Sequence, residues 1–393
     1  MLPHTLASLL FISTAYCSQP IGDKIADLLQ PYSVAPPQFA LRPELFQLHK
    51  DFVAVESISY KENGAGDFIA NYLKGKGLNV EYLPTEDGRN NIHAYLDEKN
   101  TSVLLTSHID TVPPFFKYSV QKIDGQDRIY GRGTADAKGS VVAQIVAFEE
   151  LLNEGKIGKN DVSLLFVVGE EIGGDGMVAA DKALVASSVT WDAVIFGEPT
   201  NNELIVGHKG LFYFRISVFG RACHSAYPEL GVDANKVLIQ ILNGFETAQW
   251  PGSDLLGETT LNVGQIDAHN AGNVVSPYAA ATVVLRVAST VEEVSDLVNE
   301  IVGKYKDQAL KVEIKLTQSA DPVHLDYDVE GFNTSSLAGA TDIPNMKNTG
   351  FKRYLYGPGN VHNAHAADEY VTVESLYRSV DDYKKLVEHS LAY

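Results

Sequence analysis

Apolar positions recur in two ways along this chain, and the difference divides it. Around Val103-Leu104-Leu105-Thr106, Leu164-Leu165-Phe166-Val167-Val168 and Ala193-Val194-Ile195-Phe196 they are nearly continuous. Short runs without polar alternation predict strands buried on both faces, as in a parallel sheet. Between the first two runs, residues 138–153 carry Val141, Val142, Ile145, Val146, Leu151 and Leu152 at helical spacing. Residues 41–55 and 64–76 also read as helices. Strands alternating with helices predict an α/β fold with a mostly parallel sheet covered on both faces.

From residue 211 the pattern changes. It predicts a strand at 211–218, a helix at 233–247, strands at 261–266 and 279–287, a helix at 291–305 and a strand at 311–316. The order β-α-β-β-α-β is the split βαβ, ferredoxin-like unit. It predicts an α+β domain over 207–319, inserted between the two parts, 41–206 and 320–393, of a larger one. A helix at 373–390 closes the chain. A length of 393 residues suits one large and one smaller core.

The N-terminal residues add a destination. An apolar stretch over 6–16 and small residues near Ala15-Tyr16-Cys17 predict a cleaved secretory signal over 1–17. The Pro-rich 18–40 reads as an arm or pro-segment. The stretch is shorter than the roughly 20 residues a membrane span needs, and no later segment is long and apolar enough to cross a bilayer. With Cys17 removed, Cys223 is the mature chain's single cysteine, so no disulfide is expected. Two sequons fit export: Asn100-Thr101-Ser102 and Asn333-Thr334-Ser335. A formal charge of −19 argues against a nucleic-acid partner.

The chemistry lies where the apolar runs end, the place where open α/β sheets bind ligands. The runs lead into Ser107-His108-Ile109-Asp110, Gly169-Glu170-Glu171 and Gly197-Glu198-Pro199. Each acid alone could be a solvated loop residue; three together point to a site. With Asp136 and His365, the residues His108, Glu170, Glu171 and Glu198 could hold two divalent metals and leave one carboxylate free as a base. Asp110, two residues beyond His108, can hold the second nitrogen of a metal-bound imidazole. Adjacent Glu170 and Glu171 repel unless a cation or proton separates them. One can hold a metal while the other takes a proton from water. Asp136 sits in Gly131-Arg132-Gly133-Thr134-Ala135-Asp136-Ala137-Lys138-Gly139 before a helix, and no phosphate loop, HExxH or GxSxG pattern is present. Cys223 and His224, neighbours on a strand, would face opposite ways and cannot easily pair for thiol chemistry.

The segments SHIDTVPP, GRGTADAKG, GEEIGGDG, GEPT and AHAADEY resemble the signatures of the M20 metallopeptidases, which include glutamate carboxypeptidases, carboxypeptidase S, N-acyl-amino-acid deacylases and dipeptidases. The resemblance implies a di-zinc exopeptidase-like catalytic domain with the inserted unit as lid or dimerisation domain. It implies two zinc ions per subunit, with His108, Asp136 and Glu198 at one, Asp136, Glu171 and His365 at the other, and Glu170 as the base. His224 matches a lid histidine that stabilises the oxyanion, contributed by the neighbouring subunit in dimeric relatives. Asn273 and Arg286 resemble positions that meet a substrate carboxylate; a strand-face ion pair is the alternative for Arg286. The expected activity is a secreted carboxypeptidase acting on peptides. An N-acyl-amino-acid deacylase or dipeptidase uses the same chemistry, and a non-catalytic peptide-binding relative is the alternative of another class. A homodimer through the lid domain stays open.

Overall fold

The computed structural model describes residues 37–392. The expected signal over 1–17 and most of the arm over 18–40 lie outside the described residues. Residues 37–40 belong to a short helix, α1 (Pro37–Leu41), followed by α2 (Pro43–Val53) and α3 (Asn63–Gly75). The single helix expected over 41–55 is therefore broken. Arg42, at φ −137° and ψ 65°, precedes Pro43, and a residue before proline is pushed out of the helical region. Its guanidinium instead pairs with Glu150 at 2.8 Å and Asp381 at 2.5 Å.

The strands are β1 (Asn79–Pro84), β2 (Asn90–Tyr95), β3 (Val103–His108), β4 (Ser119–Ile123), β5 (Gln126–Tyr130), β6 (Val162–Val167), β7 (Ala193–Gly197), β8 (Leu204–His208), β9 (Gly210–Phe219), β10 (Thr260–Asp267), β11 (Tyr278–Val287), β12 (Lys311–Ala320), β13 (Val323–His324), β14 (Thr334–Leu337), β15 (Lys352–Tyr356) and β16 (Tyr370–Thr372). The remaining helices are α4 (Lys138–Asn153), α5 (Asp175–Ala186), α6 (Ala234–Thr247), α7 (Val291–Gly303) and α8 (Val373–Ser390).

The main sheet runs β1-β2-β6-β3-β7-β15. Strands β6, β3, β7 and β15 are mutually parallel, and β2 is the antiparallel member between β1 and β6. Every residue of β3, β6 and β7 is buried, as their continuous apolar runs require. Helix α4 is buried continuously from Lys138 to Phe148 rather than on one face. It packs on β3 while α2 and α8 cover its outer side. Helix α5 is not expected from the sequence, because Glu170-Glu171 followed by Gly173-Gly174 resembles a charged turn. Those glycines, at φ 135° and 76°, make the turn that lets the helix start at once.

A second, antiparallel sheet has the order β10-β11-β9-β12. Strand β9 alternates buried and half-buried along its length. Its inward set, with that of β11 and the apolar faces of α6 and α7, forms a separate core around Phe214, Phe245 and Leu285. This is the arrangement the β-α-β-β-α-β pattern predicts. Asp233 and Thr290 cap the two helices with their side chains. Two neighbouring crossings join the sheets: β8 runs through Lys209 into β9, and β12 returns through Asp321-Pro322 into β13, which pairs with β8.

Candidate active site

Strand periodicity places the first functional group. Leu104, Thr106 and His108 share one face of β3, and His108 ends the strand only 1% exposed. Strand β6 delivers Glu170 and Glu171 differently. Gly169 turns the chain at φ 74°, a position where an added Cβ would lie 2.3 Å from Asp175 Oδ1, and the two acids follow in a single 3-10 turn. Glu198 follows β7 directly, and Asp136 precedes α4. His365 comes from the loop before β16, with φ at 65°, a left-handed conformation in which histidine is enriched.

The structure brings all six together. His108 Nε2 lies 3.0 Å from Asp136 Oδ1, and His365 Nε2 lies 3.3 Å from Asp136 Oδ2. One carboxylate thus faces two imidazoles through its two oxygens. Glu171 Oε2 is 2.8 Å from His365 Nε2, and Glu198 Oε2 is 3.7 Å from His108 Nε2. Two sets of potential ligand atoms, each within 4.8 Å, result: His108, Glu170 and Glu198, and Asp136, Glu171 and His365. The geometry groups Glu170 with the first set rather than apart from it.

Asp110 supports this cluster more broadly than its spacing from His108 suggests. Its backbone oxygen is 3.0 Å from His108 Nδ1 and its carboxylate 3.4 Å. That carboxylate also accepts from Ser59 Oγ at 2.8 Å and from the amides of Glu170 and Glu171 at 3.1 and 3.3 Å. It therefore holds both an imidazole and the turn bearing the paired acids. A second support was not read from the sequence: Glu369 Oε1 accepts from the amides of Ala135 and Asp136, while Arg132 Nη1 pairs with Glu369 Oε2 at 2.7 Å. Both side chains are 1% exposed, and they fasten the Asp136 loop to the His365 loop. Nothing in the spacing of 132 and 369 marks this pair.

Electrostatics explain what the cluster lacks. Burial pushes the Glu170 carboxyl well above the usual carboxylate range, and the nearby Glu198 adds to the shift. Burial likewise raises Glu198 to about 7, against the opposing pull of His108. Hydrogen bonds to Asp136 and Glu171 raise His365 to about 10. The acids are crowded with too little positive charge among them, a deficit that divalent cations correct. Glu171 Oε1 is buried without a hydrogen-bond partner, and imidazole nitrogens with carboxylate oxygens are a donor set for such cations. The residues fit a two-metal centre.

A cavity of about 600 Å³ opens onto the cluster. Asp136, Glu170, Glu171, Glu198 and His365 line it, and Arg286 joins from the second sheet. Arg286 alternates with the core residues Leu285 and Val287 on β11, so it points away from that sheet's helices. Among the described residues its guanidinium has no hydrogen bond or ion pair, so the strand-face pair weighed for it does not form here. His224 and Asn273 are not part of this lining. They are neighbours on the second sheet's exposed loops, where Asn273 O accepts from Ser225 N at 2.9 Å and His224 Nδ1 from Ala226 N at 3.0 Å. Asn100 and Asn333 are both exposed. Asp342, which no motif marked, is a buried member of the lining. Burial holds its carboxyl near 7.

An α/β sheet with acids and imidazoles gathered at its strand ends, set for two cations, defines a metal-dependent hydrolase. The model of peptidase family M20/M25/M40 matches residues 104–389. The chain belongs to that family and is a hydrolytic metallopeptidase. It is 43% identical over 351 residues to a Schizosaccharomyces pombe peptidase M20 domain-containing protein, covering 88% of this chain and 85% of that one. It is 40% identical over 381 residues to a probable carboxypeptidase of Emericella nidulans, covering 88% and 89%. Its fold is similar to that of a Bacillus subtilis dinuclear metal binding peptidase of the M20 family, with a TM-score of 0.66 and 16% identity over 90% of this chain and 99% of that one.

Proposed function

We propose that the protein is a secreted, zinc-dependent carboxypeptidase that releases residues from the free C-terminus of peptides. The observation that carries this reading is Arg286, an unpaired guanidinium on the wall of the cavity that faces the acid cluster. A planar guanidinium is the side chain best suited to a carboxylate. Ile172, Leu337 and Val361 add an apolar part to the cavity wall, which suits an uncharged substrate side chain.

Zinc ions held by His108, Asp136 and Glu198 and by Asp136, Glu171 and His365 would polarise the scissile carbonyl and lower the pKa of water. Arg286 orients the substrate by its terminal carboxylate. Glu170 takes a proton from the attacking water as the new C–O bond forms. It returns that proton to the amine nitrogen as the C–N bond breaks. Asp110 keeps the Glu170–Glu171 turn and His108 in register throughout. His224 and Asn273 lie outside the cavity lining, which agrees with their acting on a neighbouring subunit in a homodimer formed through the 207–319 domain. Export through the 1–17 signal, with glycans on Asn100 and Asn333, completes the reading.

The test compares free-acid peptides, their C-terminal amides and N-acetyl amino acids, using chelated protein with and without added zinc. Zinc-restored release of C-terminal residues from the free acids alone is expected. Equal cleavage of amides would remove the role of Arg286. Preference for N-acetyl amino acids would make the protein a deacylase, and activity indifferent to chelator would end the metal mechanism.

A further inference from the structure

A second chamber, of about 10 Å³, lies between His108, Glu198 and the α5 layer, closed in by Met177, Phe196 and Ile343. Besides His108 and Glu198, its polar wall includes Thr106 of β3 and Asp342 of the turn before β15, from distant parts of the chain. Thr106 Oγ1 and Asp342 Oδ2 are both fully buried, and neither has a hydrogen-bond partner among the described residues. Buried hydroxyl and carboxylate oxygens are almost always satisfied in native proteins, by protein or by ordered water. The chamber has about the volume that one water needs.

Asp342 is already fixed on its other side. Its Oδ1 accepts from Asn345 Nδ2 at 3.1 Å, and the same amide reaches Gly173 O at 3.4 Å. A Cβ added at Gly174 would lie 2.3 Å from Asp342 Oδ1, so this turn is packed directly on the segment that follows Glu170 and Glu171. Thr106 shares its strand face with His108, two residues on. A group joining the two orphan oxygens would therefore link the strand end that carries His108 to the turn that supports the paired acids.

We propose that the chamber holds one structural water, which donates to Asp342 Oδ2 and hydrogen-bonds Thr106 Oγ1. Thr106 and Asp342 are then positioning residues: they act on the metal centre through His108 and the 170–174 turn. The effect on metal binding rests on the reading of His108 as a ligand; the water itself does not.

Thr106→Val removes the hydroxyl at nearly constant volume. The full-length protein and this variant are to be compared by high-resolution crystallography and by zinc competition with a chromogenic chelator. One water within hydrogen-bond distance of both oxygens is expected in the unaltered protein and absent from the variant. Zinc affinity should fall about tenfold, the usual scale for losing a group that orients a ligand. Thr106→Ser should restore both, and adding Asp342→Asn to Thr106→Val should cost little more than either alone. A dry chamber, a sodium or potassium ion in it, or unchanged zinc affinity in Thr106→Val would overturn the proposal. Failure to cleave any peptide would instead count against the carboxypeptidase reading, leaving the crystallographic result untouched.

Discussion

The six-stranded and four-stranded sheets treat polar side chains in opposite ways. Beyond the strand ends of the first, His108, Asp110 and Asp136 are buried together with Arg132 and Glu369 from the loops next to β5 and β16, held by bonds between segments far apart in the chain. In the second, apolar residues fill one face and charged ones stay near water; Arg215 and Asp267 pair at 2.6 Å with about a third and a quarter of each side chain exposed. Charges can be kept inside only where several backbone segments converge to satisfy them, and the ends of parallel strands provide that convergence. The antiparallel sheet has no such meeting point. It contributes Gln318 and Ala320 of β12 to the cavity wall and a single charged group, Arg286 of β11.

The comparison breaks most visibly at Glu170. Glu170→Gln should cut turnover by roughly 10²–10⁴-fold, while metal content measured by mass spectrometry stays near that of the unaltered protein. Loss of bound metal instead would make Glu170 a ligand, as its grouping with His108 and Glu198 allows. Next in size is the buried pair. Arg132→Met leaves the buried Glu369 without its guanidinium, which should cost about 3–5 kcal/mol of stability in urea unfolding and weaken metal binding through the Asp136 loop. Phe214→Ala, in the core of the four-stranded sheet, should cost a similar ~3–5 kcal/mol yet leave metal affinity unchanged. Equal damage to the metal centre by both would erase the distinction between the two sheets.

A smaller effect concerns His93, buried on β2 with neither ring nitrogen bonded. Burial lowers it to about 4, with a weak opposing pull from Glu81. Its folded value lies below its unfolded one, so the unfolded chain binds the proton first as pH falls. The stabilisation is therefore complete above pH 6.5 and is lost between pH 6.5 and 4, on the order of 3 kcal/mol. Urea midpoints over that interval should fall less steeply in His93→Phe. The smallest effect is expected at the half-buried surface pair: Arg215→Met should leave the thermal midpoint within error, because solvent still screens such pairs. A large drop there would show that the second sheet also depends on buried charge.

Legibility follows the same division. The four-stranded sheet was readable because alternation and helical spacing report one-sided burial directly. The strands β3, β6 and β7 were readable for the opposite reason, since both of their faces are buried. Strands β1, β2, β4, β5, β8 and β13 to β16 and helix α5 were missed: their apolar runs are short or interrupted by polar residues, as in Asn90-Asn91-Ile92-His93 of the buried β2, or follow glycines that resemble a loop. The break at Arg42 was missed because Pro43 acts on the residue before it, while the apolar spacing continues across the gap.

The family, the class of fold and the six metal-friendly residues, four of them at or just past the ends of apolar strands, were already in the sequence, because residue types and their order along each segment are local facts. The tertiary structure alone decided which oxygen of Asp136 meets which imidazole, that Asp110 holds the Glu170–Glu171 turn, and that Arg132 and Glu369 join two loops 237 positions apart. It also decided that Arg286 lines the acid cavity while His224 and Asn273 do not, and that Asp342 and Thr106 line one small chamber. These are contacts between segments distant in sequence, set by how the sheets pack, and no spacing along the chain encodes them.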